Sequence, residues 1–258
     1  MKKFSSFLVL LLLMLASLAA NAQDYLRGDV DRDGRVNVSD VTILIDFLLQ
    51  GTWPDEPVTP PDEHEWVDLG LSSGTLWATC NVGANAPEDY GNYFAWGETE
   101  PKEDYTWETY KWCNGTYNTQ TKYCTNSSYG NNGFVDNKTE LDLEDDAAYV
   151  NWGSSWRMPS KVQQDELRNE CTWTWTTLNG VSGCLVNGPN GNTMFLPAAG
   201  YREHESLYSV GLYGYYWSHT LEDPHEAYYL LIYSGNMTWS PDDRCRGRSV
   251  RAVRVSQN

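Results

Sequence analysis

The sequence has little positive charge. Its 18 Lys and Arg residues stand against 35 Asp and Glu residues, which gives a formal net charge of −17 at pH 7. Such an acidic chain repels nucleic acid and anionic membranes. After the N-terminus, no apolar run approaches the roughly 18 to 20 residues of a membrane-spanning helix. We therefore predict no nucleic-acid partner and no insertion into a membrane.

Common catalytic motifs are also missing. The chain has neither the His-Glu-x-x-His motif of zinc proteases nor the Gly-x-Ser-x-Gly motif of serine hydrolases. A glycosidase needs two carboxylates at a set separation, and the many acids here single out no pair. The four histidines fall in predicted loops, where we expect them to face solvent: His64, His204, His219 and His225. We predict no enzymatic activity, with a carbohydrate-active enzyme as the weaker alternative.

The N-terminus has the three parts of a secretory signal peptide. Lys2 and Lys3 precede an apolar stretch over residues 7–18, and Ala20-Asn21-Ala22 forms a small-residue cleavage site. We predict that residues 1–22 are removed and that the chain is exported to the periplasm, surface or surroundings of a Gram-negative bacterium. Cleavage would remove two lysines and no acid, and would therefore lower the net charge to −19.

A calcium-binding loop is predicted just after the signal peptide. Aspartates at loop positions 1, 3 and 5 precede Gly34 at the sharp turn, and further oxygens follow at positions 7, 9 and 12. A hard cation needs six or more oxygens, and this spacing turns alternate residues inward. The predicted Ca²⁺ ligands are Asp29, Asp31, Asp33, the carbonyl of Arg35, Asn37 and Asp40.

A predicted helix follows this loop, over residues 41–50. Val41, Leu44, Ile45 and Leu48 share one face of it. With Asp at position 12 and no helix before the loop, the small EF-hand-like unit at residues 24–51 resembles a type I dockerin. Dockerins carry two such units and this chain has one, so half of the surface that would bind a cohesin-like partner is missing.

Residues 52–64 are predicted to form a linker. Four prolines fall within residues 53–62, a composition typical of a semi-rigid extended segment. We place a domain boundary here. The remaining residues, 65–258, form a second domain large enough to bury its own core.

Two helices organise the second domain. Acids precede Ala147-Ala148-Tyr149 in a first helix that ends near Trp152, and Ser160 with Gln163 forms a capping box for a second helix ending near Glu170. Short strands and turns surround both. Hairpins are predicted from Cys184–Val186 to Thr193–Leu196 and, across Ser234-Gly235-Asn236, from residues 227–233 to 237–239, with a turn at residues 241–243.

Several strings in this domain resemble one bacterial family. They are WVDLGL at 66–71, GTLWAT at 74–79, GNYFAWGET at 91–99, RMPS at 157–160, FLPAAGYR at 195–202 and SVR at 249–251. Their order is similar to that of the major paralogous (FISUMP) domain, a C-type-lectin-like fold related to formylglycine-generating enzymes. The resemblance implies an α+β domain in which strand 66–71 pairs with the C-terminal strand, 249–255.

The resemblance does not bring a known active site with it. Formylglycine-generating enzymes use two close cysteines near the C-terminus, and this chain has only Cys245 there. Calcium-dependent lectins use a Glu-Pro-Asn or Gln-Pro-Asp string followed by Trp-Asn-Asp. Here Gly188-Pro189-Asn190 and Ser240-Pro241-Asp242 lack the first ligand, and no Trp-Asn-Asp follows.

Six cysteines in an exported chain permit disulfide bonds. Cys113 and Cys124 flank a loop rich in Gly, Asn and Thr, and a bridge that closes this loop is the first choice. A Cys80–Cys171 bridge is implied only by where the resembling fold would bring these residues. Spacing leaves the other pairings open, including those of Cys184 and Cys245.

The region from Tyr213 to Arg246 is the predicted ligand-binding face. It is rich in aromatic residues mixed with Ser, Asn, Asp and His, a composition typical of adaptable recognition surfaces. In lectin-like domains the strands before the C-terminal strand form an exposed face. From turns and strand positions expected to face outward, the candidates are Tyr215, Trp217, His219, Tyr229, Trp239, Asp242 and Arg244.

The sequence therefore predicts an exported, non-catalytic binding protein. Its C-terminal domain would recognise a glycan or a cell-surface protein, and Ca²⁺ would stabilise its N-terminal module. The alternative is a structural or assembly component of an extracellular complex, attached through residues 24–51 with the C-terminal domain as cargo.

Overall fold

The computed structural model describes Val41, Leu44, Ile45 and residues 64–254. The chain divides into two compact units, Met1–Pro60 and Pro61–Asn258. The predicted signal peptide and the predicted calcium ligands lie outside the described residues. No helix in the described part of the chain is long and apolar enough to cross a membrane.

Three described residues belong to the first unit. Val41, Leu44 and Ile45 are helical, as expected for the segment after the predicted calcium loop. The side chains of Val41 and Ile45 are 56% and 48% exposed. One turn apart, they form a pair of exposed apolar groups on the same side of a helix.

Antiparallel sheets dominate the second unit, which has two α-helices among its described residues. This confirms the coarse prediction of two helices among short antiparallel strands. The helices are α1 (Ala147–Trp152) and α2 (Lys161–Glu170). The strands are β1 (Trp66–Asp68), β2 (Leu76–Ala78), β3 (Trp156–Arg157), β4 (Thr172–Leu178), β5 (Val181–Asn187), β6 (Thr193–Pro197), β7 (Tyr201–Glu203), β8 (Ser206–Tyr208), β9 (Tyr213–Leu221), β10 (Glu226–Tyr233), β11 (Asn236–Asp243) and β12 (Val253–Arg254). They form four sheets, ordered β1-β2-β12-β3, β11-β10-β9, β4-β5-β6 and β7-β8.

Both helices begin with a side-chain cap. Asp146 accepts hydrogen bonds from the backbone N–H groups of Ala148 and Tyr149, which fixes the start of α1. At α2 the predicted capping box is confirmed, since Ser160 and Gln163 satisfy each other's backbone N–H groups. The acids before Asp146 form a separate 3₁₀ turn, Leu143–Asp145.

The predicted pairing of the N-terminal and C-terminal strands is wrong. β1 pairs with β2, and β2 in turn pairs with β12, so one strand separates the two ends of the domain. The reason is local: Gly74, at φ 72°, lets the chain reverse after β1 and lay β2 beside it. β12 then pairs with both β2 and β3.

Both predicted hairpins are confirmed. Cys184 lies opposite Leu196 in the β5–β6 pair, and Tyr233 lies opposite Asn236 in the β10–β11 pair. The turn predicted at residues 241–243 is wrong, because β11 continues to Asp243. Pro241 is tolerated there since β11 is an edge strand, where a missing N–H breaks no ladder on the outer side.

The strands β9 and β10 lie between two hydrophobic clusters. Trp217 and Tyr229 point into a cluster that includes Ala147 and Ala148 of α1. On the opposite side of the sheet, Tyr216, Leu230 and Ile232 pack into a second cluster. This cluster also contains Leu167 of α2, Val186 and Met194. A third cluster forms around Tyr93, Tyr105, Tyr110, Ala199 and Cys245.

None of the predicted disulfide bonds is present. All six cysteines are free thiols. The Sγ of Cys113 donates a hydrogen bond to the carbonyl of Trp107 and that of Cys124 to the carbonyl of Asn126, so each thiol has its own local acceptor. The Sγ of Cys80 likewise donates a hydrogen bond to the carbonyl of Ala84. It forms no disulfide bond with Cys171.

Candidate functional site

The structure brings three of the seven predicted ligand residues together. Tyr215 and Tyr229 come from neighbouring strands, with ring centroids 5.6 Å apart. Asp242, on β11, joins them through Arg248, which donates a hydrogen bond to its Oδ2 and stacks on both rings. Tyr215 and Asp242 are partly exposed, whereas Tyr229 is 6% exposed.

For three of the candidates the prediction of an outward side chain is wrong. Trp217 and Arg244 are 0% exposed, and Tyr229 is almost fully buried. Trp217 fills the core and donates its indole N–H to the carbonyl of Phe94. Arg244 is buried because the hydroxyl of Tyr110 and three backbone carbonyls accept its hydrogen bonds.

The remaining two candidates lie elsewhere. Trp239 is on the opposite side of the sheet, where its ring meets Tyr228 edge-on and Nζ of Lys161 lies 3.9 Å from its centroid. His219 lines a cleft of about 500 Å³ together with Glu140, Asp146 and Arg157, among others. These two side chains do not share a surface with Tyr215.

Six tyrosines form one continuous surface around Tyr215, which we term the tyrosine face. Its members are Tyr201, Tyr208, Tyr213, Tyr215, Tyr229 and Tyr233. The centroids of contacting rings lie between 5.0 and 6.1 Å apart. This spacing is typical of favourable aromatic pairs. The rings therefore support one another as a preformed surface.

Strand periodicity produces this face. Tyr213, Tyr215 and Trp217 alternate along β9, and their exposure falls from 37% at Tyr213 to 0% at Trp217. The register places Tyr233 opposite Tyr213 and Tyr229 opposite Trp217. On this side of the sheet, the Trp217 end of β9 therefore lies in the core and the Tyr213 end lies at the surface.

Gly214 allows the strands to approach on the buried side. A Cβ at this position would lie 2.7 Å from Cγ1 of Ile232 and 2.9 Å from the carbonyl oxygen of Pro197. Any larger residue would push β9 away from its neighbours. The small residue therefore positions Tyr213 and Tyr215 against β10.

Comparison with known proteins does not assign this chain to a family. No known protein family, curated protein or solved structure matches this chain. The geometry of the tyrosine face therefore carries the functional argument.

A buried arginine supports the face from below. Arg248 is 0% exposed, and its guanidinium carbon lies 3.6 Å from the ring centroid of Tyr229 and 4.9 Å from that of Tyr215. Asp242 pairs with both Arg248 and Arg246, and Arg246 also pairs with Glu203 at 3.1 Å. The charges around the face are thus paired with one another.

Two phenols of the face, those of Tyr201 and Tyr215, have a raised pKa and are neutral near pH 7. Burial raises the pKa of Tyr215, and burial with the nearby Glu203 raises that of Tyr201. A neutral phenol both donates and accepts hydrogen bonds while its ring offers a flat apolar surface. The face can therefore contact apolar and polar groups of a ligand together.

The cleft beside His219 is committed partly to structure. The Oδ1 of Asp146 accepts hydrogen bonds from two N–H groups of α1, and both carboxylate oxygens accept the N–H of Met158. Arg157 donates to the carbonyls of Ser154 and Trp156. Glu140 and His219 are the cleft side chains with no hydrogen bond to the described part of the protein.

Two groups of side chains in the described residues could hold a metal ion. One comprises Asp142, Glu144 and Asp145, where Nζ of Lys122 lies 2.7 Å from Asp142 and 2.6 Å from Asp145. That lysine already supplies the positive charge. The other comprises Asp223, His225 and Glu226, at the turn between β9 and β10.

Sequence reasoning missed most of the tyrosine face. The available signal was the even spacing of Tyr213 with Tyr215 and of Tyr229 with Tyr233, which places each pair on one face of a strand. No local signal could have located the β7–β8 hairpin beside them, because isolated bridges such as Gly200–Gly214 connect it to β9. The members of the face that were not named as candidates are Tyr201, Tyr208, Tyr213 and Tyr233, and the neighbouring Arg246 and Arg248 were not named either.

Proposed function

We propose that residues 61–258 form a non-catalytic binding module that recognises a surface ligand, a glycan or a protein, through the tyrosine face. The observation that carries this proposal is the continuous set of six tyrosine rings, open at the Tyr213 and Tyr233 end and rooted in the core at Tyr229. Calcium would stabilise the separate N-terminal module.

The chemistry of tyrosine supports a binding role. Its ring gives a large contact area at a low cost in conformational entropy, and its hydroxyl adapts to polar partners. Here the inner rings are fixed by packing, which reduces the entropy lost on binding. Thr238 and Ser240 of β11 lie on the same side of the sheet as Tyr229 and Tyr233, and they add further hydroxyl groups.

The ion pairs around the tyrosine face support a non-catalytic role for this face. Acid–base catalysis needs a carboxylate or imidazole whose proton is available to the substrate. Asp242 and Glu203 are instead held in ion pairs with Arg246 and Arg248. Enzymatic activity is therefore not part of the proposal.

A C-type-lectin-like fold of the FISUMP kind belongs to the same proposal. Two helices with antiparallel sheets, and termini joined within one sheet by β1, β2 and β12, are compatible with it. We further propose, from the signal sequence, that the protein works outside the inner membrane of a Gram-negative bacterium, with an extracellular glycan or protein as its partner and neither nucleic acid nor a membrane interior.

Assembly through the N-terminal module is the second candidate function. The exposed pair Val41 and Ile45 favours it, because exposed apolar residues one helical turn apart offer a docking stripe. In this alternative the dockerin-like unit attaches the chain to an extracellular complex. A cohesin-like partner is not proposed, since only one of the two dockerin repeats is present.

Paired substitutions test the binding proposal. Tyr213→Ala with Tyr233→Ala should weaken binding to a partner found on glycan or cell-surface protein arrays by roughly tenfold or more, as expected for aromatic interface anchors. Tyr117→Ala removes a tyrosine outside the face that is 50% exposed, against 37% for Tyr213, and it is the control. The thermal midpoint of each variant shows whether folding is retained.

The outcomes separate the two candidate functions. Loss of binding in the double tyrosine variant alone supports the tyrosine face. Binding that survives it but is lost in Asp31→Ala supports assembly through the N-terminal module. Equal losses in the double variant and in Tyr117→Ala, both folded, would reject the tyrosine face as the ligand site.

A further inference from the structure

Three side chains that can each bind a metal ion converge at the turn between β9 and β10. A carboxylate oxygen of Asp223, a carboxylate oxygen of Glu226 and a ring nitrogen of His225 all lie within 4.8 Å of one another. We propose that this group binds a divalent transition-metal ion, of which Zn²⁺ is the representative. The site shares no residue with the tyrosine face or with the predicted calcium loop.

The imidazole nitrogen is the observation that favours a metal ion over a simple acidic turn. Nδ1 of His225 is buried and makes no hydrogen bond, although it lies 2.7 Å from Oδ1 of Asp223. That oxygen already accepts the backbone N–H groups of His225 and Glu226, at 2.9 and 3.0 Å. A metal ion bound to this nitrogen would satisfy it, since neutral imidazole coordinates through its lone pair.

The imidazole is also held in place. The ring of Tyr129 stacks on it with centroids 5.0 Å apart and planes within 5°, and Tyr117 contacts it at 5.7 Å. Both tyrosines come from the long loop before α1. A ligand whose orientation is fixed by packing loses little entropy when it coordinates a metal.

Asp223 and Glu226 form no ion pair with lysine or arginine within the described residues, although Arg244 donates a hydrogen bond to the carbonyl of Pro224 between them. Glu226 lies directly opposite Asp243 on β11, and like charges opposite each other destabilise a sheet. Within the described residues Glu226 forms no ion pair with Lys or Arg. A divalent ion would offset this repulsion as Lys122 does in the other acidic group.

The ligand set selects the class of ion. Imidazole with carboxylates suits Zn²⁺ and its neighbours in the first transition row, whereas Ca²⁺ wants six or more oxygens. Three protein ligands leave a fourth position for water or for a donor from a bound partner.

Calorimetry tests the site on the untagged mature chain. The protein is stripped with EDTA, saturated with Ca²⁺ to fill the predicted N-terminal loop, and titrated with ZnCl₂. We expect one Zn²⁺ per chain, and we expect His225→Ala and Glu226→Gln each to weaken the affinity by about tenfold or more. Co²⁺ in place of Zn²⁺ should give an absorption spectrum that His225→Ala removes.

Matched controls make the result decisive. Glu144→Gln alters the acidic group that already contains Lys122, and His204→Asn removes another imidazole at a position with φ 52°, which Asn tolerates. Both should bind Zn²⁺ as the unmodified chain does. Glu226→Gln keeps the shape of the side chain if His225→Ala fails to fold. Absence of Zn²⁺ binding, or affinity unchanged in Glu226→Gln, would overturn the proposal.

Discussion

Arg244 and Arg248 are both fully buried, but their hydrogen-bond partners differ. Arg244 donates hydrogen bonds to Tyr110, Lys122, Tyr123 and Pro224, so its loss would leave several buried acceptors without donors. Arg248 has Asp242 as its acceptor, and its Nε and Nη1 make no hydrogen bond within the described residues. Its guanidinium also stacks on the ring of Tyr229.

Methionine substitutions should separate these roles. Each buried acceptor left unpaired costs about 1–3 kcal/mol, so Arg244→Met should lower the free energy of unfolding by more than about 3 kcal/mol. Arg248→Met leaves Asp242 paired with Arg246 and should cost less. Urea denaturation of both variants measures the difference. A larger loss in Arg248→Met would contradict this account of the two sites.

The thiols are predicted to react slowly in the folded chain. Burial raises the pKa of Cys171 and Cys184 from 9.0 to about 11, so less thiolate is present at any given pH. At pH 8, iodoacetamide should label these two residues roughly 100-fold more slowly than after unfolding, since each pKa unit is a factor of ten. Mass spectrometry of tryptic peptides gives the rates.

The same reaction counts the free thiols. The unreduced, unfolded chain should take up six labels, whereas the two bridges predicted from the sequence would leave two.

The same two thiols make stability depend on pH. Because folding raises the pKa values of Cys171 and Cys184, the contribution of these thiols to stability is present below pH 9 and is lost as the pH rises through about 11. Fast native labelling at Cys184 would contradict its burial.

At the scale of elements, short-range features were predictable and long-range order was not. The capping box of α2 lies within four residues, and the β10–β11 hairpin follows from its Ser-Gly turn. The order β1-β2-β12-β3 joins residues far apart in the chain, and no local signal specifies it.

One missed element did carry a local signal. The β4–β5 hairpin turns at Asn179 and Gly180, with φ of 48° and 89°, and Asn-Gly is the strongest short hairpin signal. At the candidate site, alternation identified Tyr215 but could not decide which end of β9 is buried. That depends on the packing of α1 against Trp217, which only the tertiary structure supplies.

The cap of α2 makes a measurable prediction. Ser160→Ala removes the oxygen that accepts the N–H of Gln163 at 3.1 Å, and N-cap losses cost about 1 kcal/mol. For a domain of this size the thermal midpoint should fall by about 2–4 °C. Val162→Ala, at a side chain 76% exposed on the same helix, is the control and should change little. An unchanged midpoint in Ser160→Ala would show that the helix is held by tertiary contacts alone.

For the whole molecule, excess negative charge sets what the chain can approach. At −17 the chain repels acidic surfaces at long range, while the charges around the tyrosine face are paired locally. Binding through such a face depends on contact area more than on ionic attraction. Its strength should therefore change little with salt, because screening acts mainly on unpaired exposed charges.

Calcium should bind the N-terminal unit independently of the tyrosine face. The predicted ligands are Asp29, Asp31, Asp33, the carbonyl of Arg35, Asn37 and Asp40, all outside the described residues. In the full mature chain, Asp31→Ala removes one charged ligand and should weaken Ca²⁺ binding by about tenfold or more, since affinity follows ligand charge count. The helix at residues 41–50 should loosen with it, because the loop positions that helix.

Calorimetry measures the affinity, and hydrogen exchange at residues 41–50 measures the helix. Asp55→Ala removes an acid outside the loop and should affect neither quantity, which separates coordination from general charge. Binding through the tyrosine face should survive Asp31→Ala, because the second unit contains its own three hydrophobic clusters. Absence of calcium-dependent heat in the full chain would reject the loop as a metal site. A helix protected equally with and without Ca²⁺ would instead show that contacts other than the loop hold it.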